Sequence, residues 1–175
     1  MFVRLLLGAA AVGLIMLAWR IAVRQSRLNV TSEAIHFPSV SGSNLNRQEL
    51  SFPTDFAGDL NLLFVPFLQQ HQVIVNTWLP FAEKLEAANP QLVYYELPTI
   101  DKMPMLSRTF INEGMRAGIP NPKARERTVT LYIDTETFRR ATDIPGKDQV
   151  HILLVDRSGE IRWRTTGSFD EEKGA

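Results

Sequence analysis

The chain has 175 residues, 45% of them hydrophobic, with 19 basic and 19 acidic side chains, which suits one packed domain plus an extra segment and excludes disorder as the default. It contains no cysteine, which excludes disulfides, thiolate catalysis and zinc–thiolate sites. Arg4, Arg20, Arg24 and Arg27 fall in the first 27 residues; the remaining 15 basic against 19 acidic side chains make a mildly acidic body without the basic face of a nucleic-acid binder, so no nucleic-acid partner is expected.

The chain opens on an uncharged apolar run, "LLLGAAAVGLIMLAW", at residues 5–19. A helix needs ~20 apolar residues to span a bilayer. Ile21, Ala22 and Val23 extend the run, and Arg4 and Arg20 can snorkel. Residues 5–23 are therefore expected to lie in a lipid bilayer. The following "AWRIAVRQS" offers no small-x-small cleavage site, so a retained anchor is expected rather than a cleaved leader. One Arg precedes the run and three follow it, which places the domain on the cytoplasmic or matrix side of a single-pass protein. The organisation read from the sequence is a transmembrane signal anchor at 1–24, a polar tether at 25–36 and one domain at 37–175.

Within the domain, "NLNRQELSF" at 44–52 alternates around a polar turn and predicts a hairpin. "NLLFVPF" at 61–67 is continuously apolar, as a strand buried on both faces is. From residue 70 to 88, Ile74, Trp78, Phe81 and Leu85 recur on one helical face, and Asn89-Pro90 stops the helix. A strand follows at 91–100, in which Tyr94 and Tyr95 are expected on opposite faces. Met103, Leu106, Phe110 and Met115 predict a second amphipathic helix ending at Gly118. Residues 119–127, "IPNPKARER", read as a basic, proline-rich loop. A strand at 128–134, a short helix at 135–142 and a hairpin at 150–167 with Ser158-Gly159 at its turn complete the order. The alternation of strand and helix implies an α/β domain: a central mixed β-sheet flanked by helices, antiparallel at its C-terminal edge.

"TVTLYIDTETFRRATDIPGKDQVHILLVDRSGEIRWRTTG" resembles the second half of a thioredoxin-like redoxin domain of the TlpA and peroxiredoxin type, through Asp134, Gly146, Asp156, Gly159 and Gly167. The resemblance covers about residues 37–168. It implies a Cys-x-x-Cys at the start of the first long helix, five residues before a kinking proline. Pro80 fits that proline, so Gln72 and Val75 stand where the two cysteines would stand. Neither can carry thiol exchange. The resemblance also implies a cis-proline opening the strand that faces the cysteine pair; Val150 stands there. A cis bond before a non-proline residue costs ~3 kcal/mol, so the cis turn is expected to be gone. A thioredoxin-like fold lacking its active-site cysteines is expected, with no thiol oxidoreductase or peroxidase activity and no cofactor. "LLVDRSGEIRWRTTG" before an acidic tail is further similar to the thioredoxin-like assembly factors of the F-type ATP synthase membrane sector, with Ile161-Arg162-Trp163 the specific part.

The candidate functional residues fall into two groups. Gln72, Val75 and Val150 are the degenerate redox positions, flanked by His71 and His151, which with Gln72 would form a small polar site. Met103, Met105, Phe110 and Met115, beside Arg125 and Arg127, form a candidate binding surface together with His71, because methionine adapts to varied apolar partners. A membrane-protein client is expected for a tethered module of this kind; the competing reading is an enzyme using His71 in cysteine-independent chemistry. No metal motif is present.

Overall fold

The computed structural model describes residues 34–174. The run at 5–23, and with it the expected anchor, lies outside them; among the described residues no helix is long and apolar enough to cross a membrane. The fold begins where Ile35 and Phe37 attach to a later turn: Phe37 N donates to Gly159 O at 2.7 Å, and Ile161 N donates to Ile35 O at 2.9 Å.

The strands are β1 (Val40–Asn44), β2 (Glu49–Phe52), β3 (Leu60–Val65), β4 (Leu92–Glu96), β5 (Thr99–Asp101), β6 (Val129–Ile133), β7 (His151–Asp156) and β8 (Ile161–Thr166). The helices are α1 (Gln72–Ala88), α2 (Met105–Gly118), α3 (Pro122–Arg127) and α4 (Thr135–Ala141), with a 3-10 turn at Gln69–His71 leading into α1. The strands form two mixed four-stranded sheets rather than the single central sheet expected, in the orders β4-β3-β7-β8 and β2-β1-β6-β5. The reason lies at Leu97-Pro98. Proline cannot donate to a ladder, so the strand expected over 91–100 divides there. β4 pairs parallel with β3, β5 pairs parallel with β6, and a lone Glu96–Thr128 bridge links the sheets.

Two further expectations are corrected. The first hairpin begins upstream of residue 44: β1 ends at Asn44 and 45–48 is the turn. Asn44 sets it, since its Oδ1 accepts from the Asn46 and Gln48 amides at 2.9 Å each, and Arg47 takes a φ of 65°. The loop expected at 119–127 contains α3. Asn121 caps it, its side chain accepting from Lys123 N at 2.9 Å, and Pro122 sits at the first helical position, where a missing N–H is harmless. The predicted Ser158-Gly159 turn is present, with Gly159 at φ 93°, a conformation glycine adopts without strain.

Alternation along β3 divides the core. Leu63 and Val65 face a large cluster with Phe52, Phe56, Val93, Tyr95, Leu131 and Leu153. Leu62 and Phe64 face the other way, under α1, with Val75, Trp78, Ala82, Tyr94 and Ile152. Tyr94 and Tyr95 thus lie on opposite faces. Trp78 is fully buried, and its Nε1 donates to Gly167 O at 2.9 Å; burying a side chain of this size is worth about 3 kcal/mol. Phe169 closes over the helix, its ring centroid 5.1 Å from that of Trp78 and 4.9 Å from that of Phe81. Pro80 interrupts the α1 ladder from the exposed side, where the freed carbonyl meets water.

Candidate functional site

β3 runs out at Val65 beside the start of β7, with Val65 opposite His151. The chain turns through Pro66-Phe67-Leu68 and enters α1 at Gln72. This end of the sheet gathers the predicted redox positions. Val75 and Val150 are fully buried and share the core beneath α1. Among the described residues the one cis peptide is Phe52–Pro53; the bond before Val150 is trans.

Gln72 remains polar and finds a partner not anticipated from the sequence. Its Nε2 donates to Glu96 Oε2 at 2.9 Å and to Asn76 Oδ1 at 3.0 Å. Glu96 ends β4 opposite Phe64 and is 3% exposed. Burial pushes its carboxyl above the usual carboxylate range, and the Gln72 hydrogen bond pulls partly back. A signal was nonetheless present: Glu96 is the lone acid in "LVYYEL".

The histidines do not complete a polar site with Gln72, whose amide is committed elsewhere. His71 is buried, and its Nδ1 accepts from Phe67 N at 3.3 Å. It therefore offers no surface to a partner, contrary to its place in the expected binding surface. His151 is also buried, edge-on to the Phe67 ring at a centroid distance of 6.3 Å, and burial pushes its pKa down. Among the described residues no cluster of three His, Asp or Glu is placed to hold a metal.

The second candidate group lies on α2 and α3. None of the 14 residues of α2 is buried. Met105, Leu106 and Phe110 are 82%, 86% and 83% exposed, while Met103 and Met115 are half-buried. The side of the helix turned to the body carries Arg108, Ile111, Asn112 and Met115, all half-buried. Arg108 lies over the Tyr132 ring at 5.2 Å, and Tyr132 Oη donates to Asn112 Oδ1 at 2.8 Å. The two arginines expected on the binding surface are spent internally. Arg125 donates to Ile119 O at 2.6 Å and to Arg116 O at 3.1 Å. Arg127 pairs with Glu86 at 3.0 Å and stacks 5.7 Å from the Tyr95 ring centroid.

A groove of about 450 Å³ opens beside α1, lined by Leu60, Leu62, Phe81, Leu85, Trp163 and the tail at Lys173 and Gly174. It lies at the opposite end of β3 from Gln72.

No family model and no curated protein matches the sequence. Solved structures do. A thiol:disulfide interchange protein from Bacteroides sp. is similar at 18% identity, covering 75% of this chain and 79% of that one with a TM-score of 0.50. The exposed lipoprotein thioredoxin Etrx1 of Streptococcus pneumoniae strain TIGR4 is similar at 9% identity, covering 77% and 93% with a TM-score of 0.52.

The fold is thioredoxin-like.

BsSco, a member of the Sco family of cytochrome c oxidase assembly proteins, is a third structure similar to this thioredoxin-like chain, at 12% identity, 77% and 84% coverage and a TM-score of 0.52. With no cysteine anywhere in its sequence, this thioredoxin-like protein is inactive in thiol–disulfide exchange.

Proposed function

We propose that the protein is a membrane-anchored binding module that assists the assembly of a membrane complex, such as an F-type ATP synthase, from the cytoplasmic or matrix side. The observation that carries this reading is the outer face of α2, where three large apolar side chains stand more than four-fifths exposed on a domain that has no thiol to react with. An apolar face of this kind marks a contact surface. The apolar run at 5–23 and the "EIRWRTTG" hairpin support the membrane setting and the assembly role. The similar fold of BsSco, from a family of cytochrome c oxidase assembly proteins, supports the assembly role as well.

A photoreactive residue at Met105 in native membranes tests the reading. A stoichiometric membrane-protein adduct, absent when the same residue replaces exposed Lys84, is the expected result. A purified chain that turns over a substrate, and loses that turnover in His71→Ala, would replace it with the enzymatic reading.

A further inference from the structure

The sheet β4-β3-β7-β8 is wider than the helix that covers it. A helix is ~10 Å across and strands lie ~4.8 Å apart, so α1 alone cannot cover all four strands. It packs over Leu62 and Phe64 of β3, Leu92 and Tyr94 of β4 and Ile152 of β7. The margin it leaves holds the apolar groove. There Leu60 and Trp163 are 38% and 37% exposed, and Leu154, opposite Trp163 in the ladder, is half-buried. Apart from Lys173, no residue lining the groove carries a charge.

Residues 168–174 lie across one end of this groove, and one side chain holds them there. The chain leaves β8 through Gly167, at a φ of 79° that glycine adopts without strain. The Phe169 ring then stacks on Phe81 and meets Trp78 edge-on. Among the described residues the segment makes one hydrogen bond to the body, from Phe169 N to Thr77 Oγ1 at 2.9 Å. Its other bonds are internal: Lys173 N and Gly174 N donate to Asp170, and Lys173 Nζ reaches Asp170 and Ser168 O. The segment is thus a strap closed on itself and pinned through one half-buried ring.

What fills the seat shows what the seat reads. An aromatic ring packs on Phe81 and Trp78, and the backbone amide beside it meets a hydroxyl acceptor on α1. At the other end of the groove stand two amide side chains: Gln91, which is exposed, and Asn89, whose Oδ1 is left over once its Nδ2 bonds Leu85 O at 3.0 Å. Such groups bond the N–H and C=O of a second backbone, and a hydrocarbon chain has no use for them. Asn89 caps α1 ~18 Å along the helix from Thr77, a span that about five or six extended residues cover. We infer that the groove is the docking site of an extended peptide from a partner protein. An aromatic side chain of that peptide takes the Phe169 seat, and residues 168–174 are the strap it displaces. The site is built on α1, β3, β7 and β8 and shares no residue with the α2 face.

A library of random peptides displayed on phage, panned on the full chain carrying Phe169→Ala, tests this. The expected result is convergence on an aromatic residue at one position. The strongest clone, made as a labelled peptide, should bind Phe169→Ala several-fold tighter than the unaltered chain, and binding should vanish when its aromatic residue becomes alanine. A second measurement uses the unaltered chain and so does not depend on how the variant folds. Saturating peptide should speed hydrogen exchange at the Phe169 amide and leave the α1 amides protected. Selected peptides without a common aromatic position, or equal affinity for the two chains, overturn the inference. So does a Phe169 amide that saturating peptide leaves unmoved. Concentration-dependent self-association of Phe169→Ala, in conditions where the unaltered chain stays monomeric, overturns it as well and gives the seat to a second copy.

Discussion

Two residues at the start of α1 decide what this protein cannot do. Gln72 and Val75 keep the i, i+3 spacing of a dithiol, and the sequence shows this because Pro80 supplies the count. What Gln72 does instead was not legible, because Glu96 lies 24 positions away and only the parallel pairing of β3 with β4 brings it near. The geometry predicts that the chemistry can be put back. In Gln72→Cys/Val75→Cys, mild oxidation should form an intramolecular disulfide, read as a loss of two hydrogens by mass spectrometry. Packing loss at Val75 should cost about 1 kcal/mol. Two thiols that stay free under a strong oxidant would mean that the α1 start does not hold its redoxin shape. The first thiol should be less acidic than a helix N-terminus alone would make it, because the buried Glu96 carboxyl is next to it.

At the scale of elements, periodicity located α1 because its apolar stripe is buried against β3 and β7, whereas the stripe of α2 gave the right helix and no guide to its environment. Tertiary contacts oriented α2: Arg108 and Asn112 meet Tyr132, and Ile111 and Met115 are half-buried on the same side. α3 was misread for a different reason. Its Asn121-Pro122 pair is equally a turn signal and a helix start, and residues 123–127 carry no apolar stripe to decide between them. The cap is then a specific prediction. Asn121→Ala should cost about 1 kcal/mol in urea denaturation. Because α3 carries Arg127 and Lys123 to Glu86, hydrogen exchange should speed up there first. An unchanged midpoint would mean that these ion pairs hold α3 without its cap.

For the molecule as a whole, two buried titratable groups set opposite limits on stability. Burial raises the Glu96 carboxyl, so the native state holds its proton to higher pH than the unfolded chain does. The resulting stability is full below the unfolded value of 4.5 and is lost as pH rises through the native one. Burial lowers His151, whose contribution is full above 6.5 and is lost as pH falls through its native value. Glu96→Gln, which keeps an acceptor for Gln72, should therefore raise Tm at pH 8, with the gain gone at pH 4. An equal gain at both pH values would trace it to packing instead. The fold was legible at the level of strand and helix order, but its division into two sheets turns on the one proline at residue 98. The tail has a practical consequence of its own. Lys173 and Gly174 form one lip of the groove beside Trp163, so an affinity handle fused beyond them would emerge at that opening and screen whatever approaches it. One inserted into the turn at 45–48 would leave the opening clear.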